Sequence, residues 1–409
     1  MKKPLTVAII GCGARGRTYA RLMANWPERY QVVAAADPHP ANLDFVQEHS
    51  GSAETRMFAS GDALLEEDRL ADLAIVATQD ADHFALTLAA LEKGYDVLVE
   101  KPIAIDLADI ETVDRRAREL GRKVLTCFVL RHTPFYRAVK DFVDSGRLGK
   151  MISVRAFEGV EPWHQAHSFV RGHWAKSAES TPMIVAKCCH DMDILAWLVD
   201  SPAKSISSYG RLSFFNADNA PNGATQRCTD GCPHLGTCAY DAHRYLSDKK
   251  ETWLPMVHPT GMDLTDEDLI EWLRHSPWGR CVYHCDNDVV DHQTVNIDFE
   301  NEVTATFTMT AFADGRRIEI FGTEGILSGH PASYGDSSEV LVFKPHDASD
   351  SETIDIPKVE GGHGGGDFGL VEALYDSIRG DSGFGVRENA LNGHRIAFEA
   401  EAARISQGR

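Results

Sequence analysis

Residues 5–16 read LTVAIIGCGARG, and this stretch decides the fold of the first part of the chain. Leu5 to Ile10 is a short apolar run rich in β-branched residues, the pattern of a strand covered on both faces. It closes on Gly11, Gly13 and Gly16, with Cys12, Ala14 and Arg15 between them, and a helical pattern follows. Glycines in such a trio also make ordinary turns. Between an apolar strand and a helix, however, they permit a tight turn and a close approach of backbone to pyrophosphate, whose charge meets the positive end of the helix dipole. Asp37, 21 residues beyond Gly16, ends the second apolar run. A carboxylate there accepts hydrogen bonds from adenosine ribose hydroxyls and repels a 2'-phosphate. Pro38, His39 and Pro40 come next, without an arginine to hold such a phosphate, so the expected cofactor is NAD rather than NADP.

Working outward, Val32 to Ala36, Leu73 to Ala77, Val97 to Val99 and Val124 to Val129 repeat the buried-strand pattern. Helical segments separate them, among them Phe84 to Lys93 ending at Gly94 and Ala108 to Leu120 ending at Gly121, glycines placed for left-handed caps. This alternation predicts an α/β chain whose amino-terminal Rossmann domain, residues 1–131, carries a doubly wound parallel sheet. Beyond it the texture changes. Phe135 to Ser145 reads as a helix, and Met151 to Phe157, Thr294 to Phe299, Val303 to Thr310, Arg317 to Phe321 and Val340 to Phe343 alternate like strands with one wet face. Residues 132–409 are therefore expected to form an α+β domain with a mainly antiparallel sheet, a cysteine-bearing insertion at about 216–285, and closing helices at Asp367 to Arg379 and Asn389 to Ser406.

The composition excludes some partners. The 61 acidic and 41 basic residues leave a net charge of −20, which repels phosphodiester backbones and anionic lipid surfaces. No nucleic acid or membrane partner is expected. Lys2 and Lys3 precede an apolar run too short for a signal peptide, and nine cysteines without an export signal point to a reducing cytoplasm.

Glu100, Lys101 and Pro102 follow the fourth strand of the reading. Ligands of open α/β sheets bind beyond the carboxyl ends of the strands, so Lys101 falls where a nicotinamide would lie. An ammonium there acts as donor, acceptor or polariser of a reacting hydroxyl; the plain alternative is a surface lysine paired with Glu100. Taken together, the GxGxxG turn, the acid ending the second strand, the EKP triplet, FVLRHTPFYRAVKDFVDSGRLGKM at 128–151 and KCCHDMDILAWL at 187–198 resemble the Gfo/Idh/MocA oxidoreductase family along essentially the whole chain.

The resemblance implies an open carboxy-terminal sheet used for homo-dimer or homo-tetramer contacts, and oxidation of a sugar, polyol or glycoside at a secondary alcohol. It maps the catalytic lysine to Lys101, the catalytic histidine to His190, and an acidic position to Asp193. Cofactor contacts are expected from Gly11, Gly13, Ala14, Arg15, Gly16, Asp37, Glu100 and Lys101. One departure stands out: many members carry an aspartate four residues before the histidine, where this chain has Ala186, and Lys187 is the nearest polar candidate for that role. Asp191 either orients His190 or caps local backbone.

Further candidates for substrate contact are Arg131 and His132 after the fifth strand, Trp174 within a basic and aromatic segment at 164–176 suited to an anionic sugar substituent, and His363 in the run GGHGGGD at 361–367. Cys228, Cys232 and Cys238 with Cys285 are a candidate structural zinc site, although their spacing departs from paired two-residue gaps and a reduced, metal-free loop is the alternative. The expected function is NAD-dependent hydride transfer at a sugar, polyol or glycoside carbon. Two rivals are an NAD-dependent glycosidase that oxidises its substrate only transiently, acting on carboxylated or sulfonated glycosides, and a sensor that binds NAD without turnover.

Overall fold

A computed structural model describes residues 3–406 apart from 53, 259, 334–337, 348–349, 360–361 and 381–384. The chain forms two compact units, Met1–His132 with Gly361–Leu391, and Thr133–Glu360 with Asn392–Arg409.

In the first unit β1 (Leu5–Ile10), β2 (Tyr30–Ala36), β3 (Arg56–Phe58), β4 (Leu73–Val76), β5 (Asp96–Val99) and β6 (Lys123–Thr126) form one parallel sheet. The apolar strands are buried on both faces, as helices on either side require. Gly121 closes the helix Leu107–Leu120 in the left-handed conformation, φ +62°. The fifth apolar run ends sooner than the sequence indicates, since Val129–His132 turns into a short 3₁₀ segment. Arg56–Phe58 is a strand that the sequence reading misses, being short and half polar.

The segment 361–391, assigned by sequence to the second domain, packs in the first unit. Helix Gly366–Arg379 places Leu370, Val371, Leu374 and Ile378 on one face, against a core containing Leu5, Tyr30 and Leu98. The Tyr30 hydroxyl donates to the Val371 carbonyl at 2.6 Å. Each such aliphatic side chain stabilises the packing by about 1.5–3 kcal/mol.

The second unit is built on β7 (Met151–Val160), β8 (Ala203–Arg211), β9 (His292–Phe299), β10 (Thr304–Thr310), β11 (Asp314–Gly322), β12 (Gly325–His330), β13 (Val340–Pro345) and β14 (Glu352–Thr353). Their order is β14-β13-β12-β11-β7-β10-β9-β8. All neighbours are antiparallel except β7 and β10. Strand β15 (Gly385–Val386) returns to the first sheet, beside β6.

The insertion is more ordered than its polar sequence implies. Trp163, Tyr245, Trp253, Leu269, Leu273 and Trp278 form one aromatic and aliphatic core, and Phe215, Tyr240, Cys281 and Tyr283 belong to another. Its helix Asp266–His275 begins with a reciprocal capping box between Thr265 and Asp268.

Candidate functional site: two buried ionic networks

The glycine turn of the first unit has the geometry of a dinucleotide cradle. Gly11 has φ +88°, and a β-carbon there would approach the Ala77 carbonyl oxygen to 2.5 Å. At Gly16 a β-carbon would meet the Gly11 carbonyl at 2.1 Å, so only glycine lets helix Ala14–Met23 begin this close to the turn. Gly13, by contrast, faces open space at the amino end of that helix. That opening, lined by backbone, fits a pyrophosphate.

Asp37 is buried, and its carboxylate accepts from the Cys12 N–H at 2.8 Å, the His39 N–H at 2.8 Å and Asn42 Nδ2 at 3.0 Å. It therefore fixes the glycine turn as well as ending β2. Sequence reasoning missed Asn42, and it also missed Arg17, which the fold brings near enough for the Asp37 carboxylate to favour its charge against burial. The absence of an arginine after Asp37 in sequence thus does not carry over to space.

Arg15, expected at the cofactor, engages three protein groups. Its Nε donates to Glu100 at 2.5 Å, and its Nη2 lies 2.6 Å from the Tyr19 hydroxyl and 2.8 Å from Asp367. The Tyr19 hydroxyl donates to the same Glu100 oxygen at 2.6 Å, and the other oxygen accepts the Lys101 N–H at 3.2 Å. Burial alone would raise the pKa of Glu100, but Arg15, Tyr19 and Lys101 outweigh it and the net direction is down. Asp367 behaves alike: burial opposes its charge, while hydrogen bonding from His363 and the charge of Arg15 hold it well below the usual carboxylate range. His83 Nδ1 lies 2.7 Å from the Pro102 carbonyl oxygen, bracing the loop that carries Lys101. Arg131 and His132 line an open pocket together with Leu370, Ser377 and Arg387.

In the second unit His190 and Asp193 are buried on helix Cys189–Val199. The next residue, Asp191, is buried too and is gripped by Arg316, at 2.8 Å from Nε and 3.2 Å from Nη2. Arg316 also lies 3.0 Å from Glu158, its direct partner across the β7–β11 pairing. Lys187 completes the set, with Nζ 3.3 Å from Glu158. Neither Glu158 nor Arg316 is evident from sequence, although an acid in the apolar end of a strand is the available signal. Here burial wins: the pKa of Glu158 is raised, with Asp191 adding to the rise and Arg316 and Lys187 opposing it.

The segment 164–176 does not form the row of available cations expected for an anionic substituent. Arg171 is 3% exposed and donates to the carbonyls of Arg280 at 2.7 Å and Tyr240 at 2.6 Å. His167, bonded to Tyr245, is pushed by burial down to about 3 and is neutral. Lys176 pairs with Asp286 at 3.1 Å. Trp174 is half-buried near Phe169.

The zinc expectation is also corrected: among the described residues no group of three or more His, Cys, Asp or Glu is placed to hold a metal ion. Cys228, Cys232, Cys238 and Cys281 line a common cavity, but Cys228 faces Arg171 Nη2 at 3.7 Å and Cys285 donates to the Cys281 carbonyl at 3.3 Å. Burial raises the pKa of Cys238, Cys281 and Cys285.

Against known proteins, residues 5–128 match the NAD-binding Rossmann fold of the Gfo/Idh/MocA oxidoreductase family, and residues 140–391 match its C-terminal alpha/beta domain. The chain belongs to this family. It is 24% identical to the "Putative oxidoreductase YteT" of Bacillus subtilis over 384 residues, 90% of this chain and 88% of that protein. It is likewise 24% identical over 215 residues to scyllo-inositol 2-dehydrogenase (NAD(+)) of the same species, 52% of this chain and 59% of that enzyme. The chain therefore spans just over half the length of that curated inositol dehydrogenase. Levoglucosan dehydrogenase in complex with NADH and levoglucosan shares the fold, with a TM-score of 0.71 at 16% identity over 99% of this chain and 98% of the other. Among the described residues, no helix is long and apolar enough to cross a membrane.

Proposed function

We propose that this family member oxidises a secondary alcohol of a neutral sugar or polyol, passing hydride to NAD. The observation that carries the reading is the direct link between the glycine turn and the EKP triplet: Glu100 accepts from Arg15 through one oxygen and from the Lys101 N–H through the other. Glu100 thereby ties the helix that follows the glycine turn to the lysine loop.

NAD, when bound, supplies the hydride acceptor. The chain supplies the rest. Gly11, Gly13 and Gly16 let backbone approach the pyrophosphate, and Asp37 meets the ribose hydroxyls through the accepting capacity its three present donors leave over. Lys101 polarises the substrate hydroxyl, and His190 takes its proton. Lys187 and Asp191, set by Glu158 and Arg316, bind the flanking hydroxyls, with Trp174, Arg131 and His132 as outer contacts. A neutral substrate is favoured because Arg171, His167 and Lys176 are committed to protein partners or uncharged. Self-association through the face of the second sheet that carries Thr294, Asn296 and Thr306 is part of the proposal, and light scattering tests it. The function itself is tested by following NADH absorbance on a panel of cyclic polyols and anhydrosugars. NADH formation supports it, whereas NAD binding without NADH on any member of the panel returns the chain to the sensor reading.

A further inference from the structure

The second unit encloses a cation without a counter-charge. Arg171 is 3% exposed and, among the described residues, enters no ion pair: Nε donates to the Arg280 carbonyl at 2.7 Å, and Nη2 donates to the Tyr240 carbonyl at 2.6 Å and to Cys228 Sγ at 3.7 Å. Its Nη1 is buried without a partner. Of these acceptors only the sulfur can take up a negative charge, and a guanidinium beside a thiol stabilises the thiolate that acts as nucleophile. Asp241 lies on the wall of the same cavity, but its carboxylate is already answered by the Gly236 N–H at 2.8 Å, the His243 N–H at 3.0 Å and His243 Nδ1 at 2.8 Å.

The same guanidinium gathers three cysteine-bearing segments. Cys228 touches it directly, Tyr240 stands two residues past Cys238, and Arg280 immediately precedes Cys281. An antiparallel bridge pairs Arg227 with Arg280, closed by the Cys228 N–H to the Gly279 carbonyl and the Cys281 N–H to the Gln226 carbonyl, each at 3.0 Å. Alternation along the two strands then sends the Cys228 and Cys281 side chains to one side. Cys228, Cys232, Cys238 and Cys281 all line a single cavity with Arg171. Burial raises the Cys238 and Cys281 thiols, and Cys228 adds to the rise in both while Arg171 opposes it, so Cys228 lies within electrostatic reach of each. Cys228 is also partly exposed, whereas Cys12, Cys127, Cys188 and Cys189 are each at most 1% exposed, which directs a dissolved oxidant to the cavity.

We propose that this cavity is an oxidation site for hydroperoxides, in which Cys228 is the attacking thiol and Cys238 or Cys281 closes a disulfide with it. Cys228 Sγ, paired with Arg171, attacks the terminal peroxide oxygen; the O–O bond breaks, water or an alcohol leaves, and Cys228 becomes a sulfenic acid. The second thiol then displaces hydroxide from that sulfur, and its proton completes a water molecule. The two sulfurs together lose two electrons and the peroxide gains them.

The test treats the reduced, full-length protein with hydrogen peroxide, alkylates the thiols that remain, and maps linked peptides by mass spectrometry. The expected result is a crosslink from Cys228 to Cys238 or Cys281, reversed by dithiothreitol, with Cys12, Cys127, Cys188 and Cys189 unreacted. Cys228→Ser should abolish the crosslink and leave Cys238 and Cys281 reduced. With Cys238→Ser and Cys281→Ser combined, a cyclic diketone that captures sulfenic acids should label Cys228; the same label on the parent, taken before the disulfide closes, keeps the test decisive if a variant fails to fold. A crosslink that omits Cys228, or cavity thiols that stay reduced while free cysteine in the same solution is oxidised, would overturn the proposal. So would zinc that copurifies with the protein and leaves when these cysteines are alkylated. None of these readouts depends on turnover, so the oxidation site and the dehydrogenase reading stand or fall separately.

Discussion

The two units each bury an ionic network beside a residue assigned to chemistry, and the networks resolve the cost of burial in opposite directions. Around Lys101, Glu100 and Asp367 share Arg15, and the Tyr19 hydroxyl donates to Glu100, so both carboxylates are held ionised. Around His190, Glu158 and Asp191 share Arg316 but also repel each other, and Glu158 is driven towards its protonated form. Burial opposes the charge of both glutamates; the answering charges and donors outweigh it at Glu100 but not at Glu158, where Asp191 adds to it. The first arrangement is a fixed scaffold for a cofactor loop. The second leaves one of its two carboxylates biased towards the neutral form.

The largest expected difference is in stability. Glu100→Gln removes a buried carboxylate, one of the two that answer the half-buried Arg15, and is predicted to cost about 3–5 kcal/mol in denaturant unfolding. Glu158→Gln resembles the protonated form that burial already favours and should cost about 1 kcal/mol. Equal losses would erase the distinction between the networks. Next in size, Lys101→Met and His190→Asn should each lower turnover by about 100-fold or more with folding intact; retained turnover in either would return that residue to a structural role.

Acidification separates the networks further. Glu100 and Asp367 have lowered folded pKa values, so their stabilisation is fully present above the ordinary carboxylate range and is lost as pH falls through the folded values. Glu158 has a raised value, so in the window between its folded and unfolded pKa, falling pH favours the fold through this group. Thermal midpoints against pH should therefore show an acid limb that Asp367→Asn flattens and Glu158→Gln leaves in place. The smallest effect concerns the cofactor: Asp37→Ala should narrow the preference for NAD over NADP, and Arg17→Ala on that background should restore part of it by removing the nearest cation for a 2'-phosphate. Unchanged ratios of dissociation constants would remove Asp37 from that role.

Much of the first unit is legible from sequence because buried parallel strands and a glycine turn impose local patterns: Leu5–Ile10 and Gly11 to Gly16 stand where the pattern puts them. The same local logic cannot see that Asp367, more than 260 residues beyond Glu100 in sequence, completes the Arg15 network. Nor does it find Glu158 and Arg316, whose pairing depends on the register between β7 and β11. The cysteines err in the other direction. Their clustering in sequence survives in space, but Arg171 and backbone carbonyls answer the thiols instead of a metal.

The central claim is that the scaffolded lysine loop and the buried histidine serve hydride transfer from a neutral polyol to NAD. Single-turnover mixing of the protein with NAD and cyclic polyols, read by NADH absorbance for the parent and Lys101→Met, tests it most directly. The account predicts one NADH per oxidised polyol in the parent and little in the variant at equal NAD occupancy; NAD-saturated parent protein that forms no NADH with any neutral polyol would contradict it.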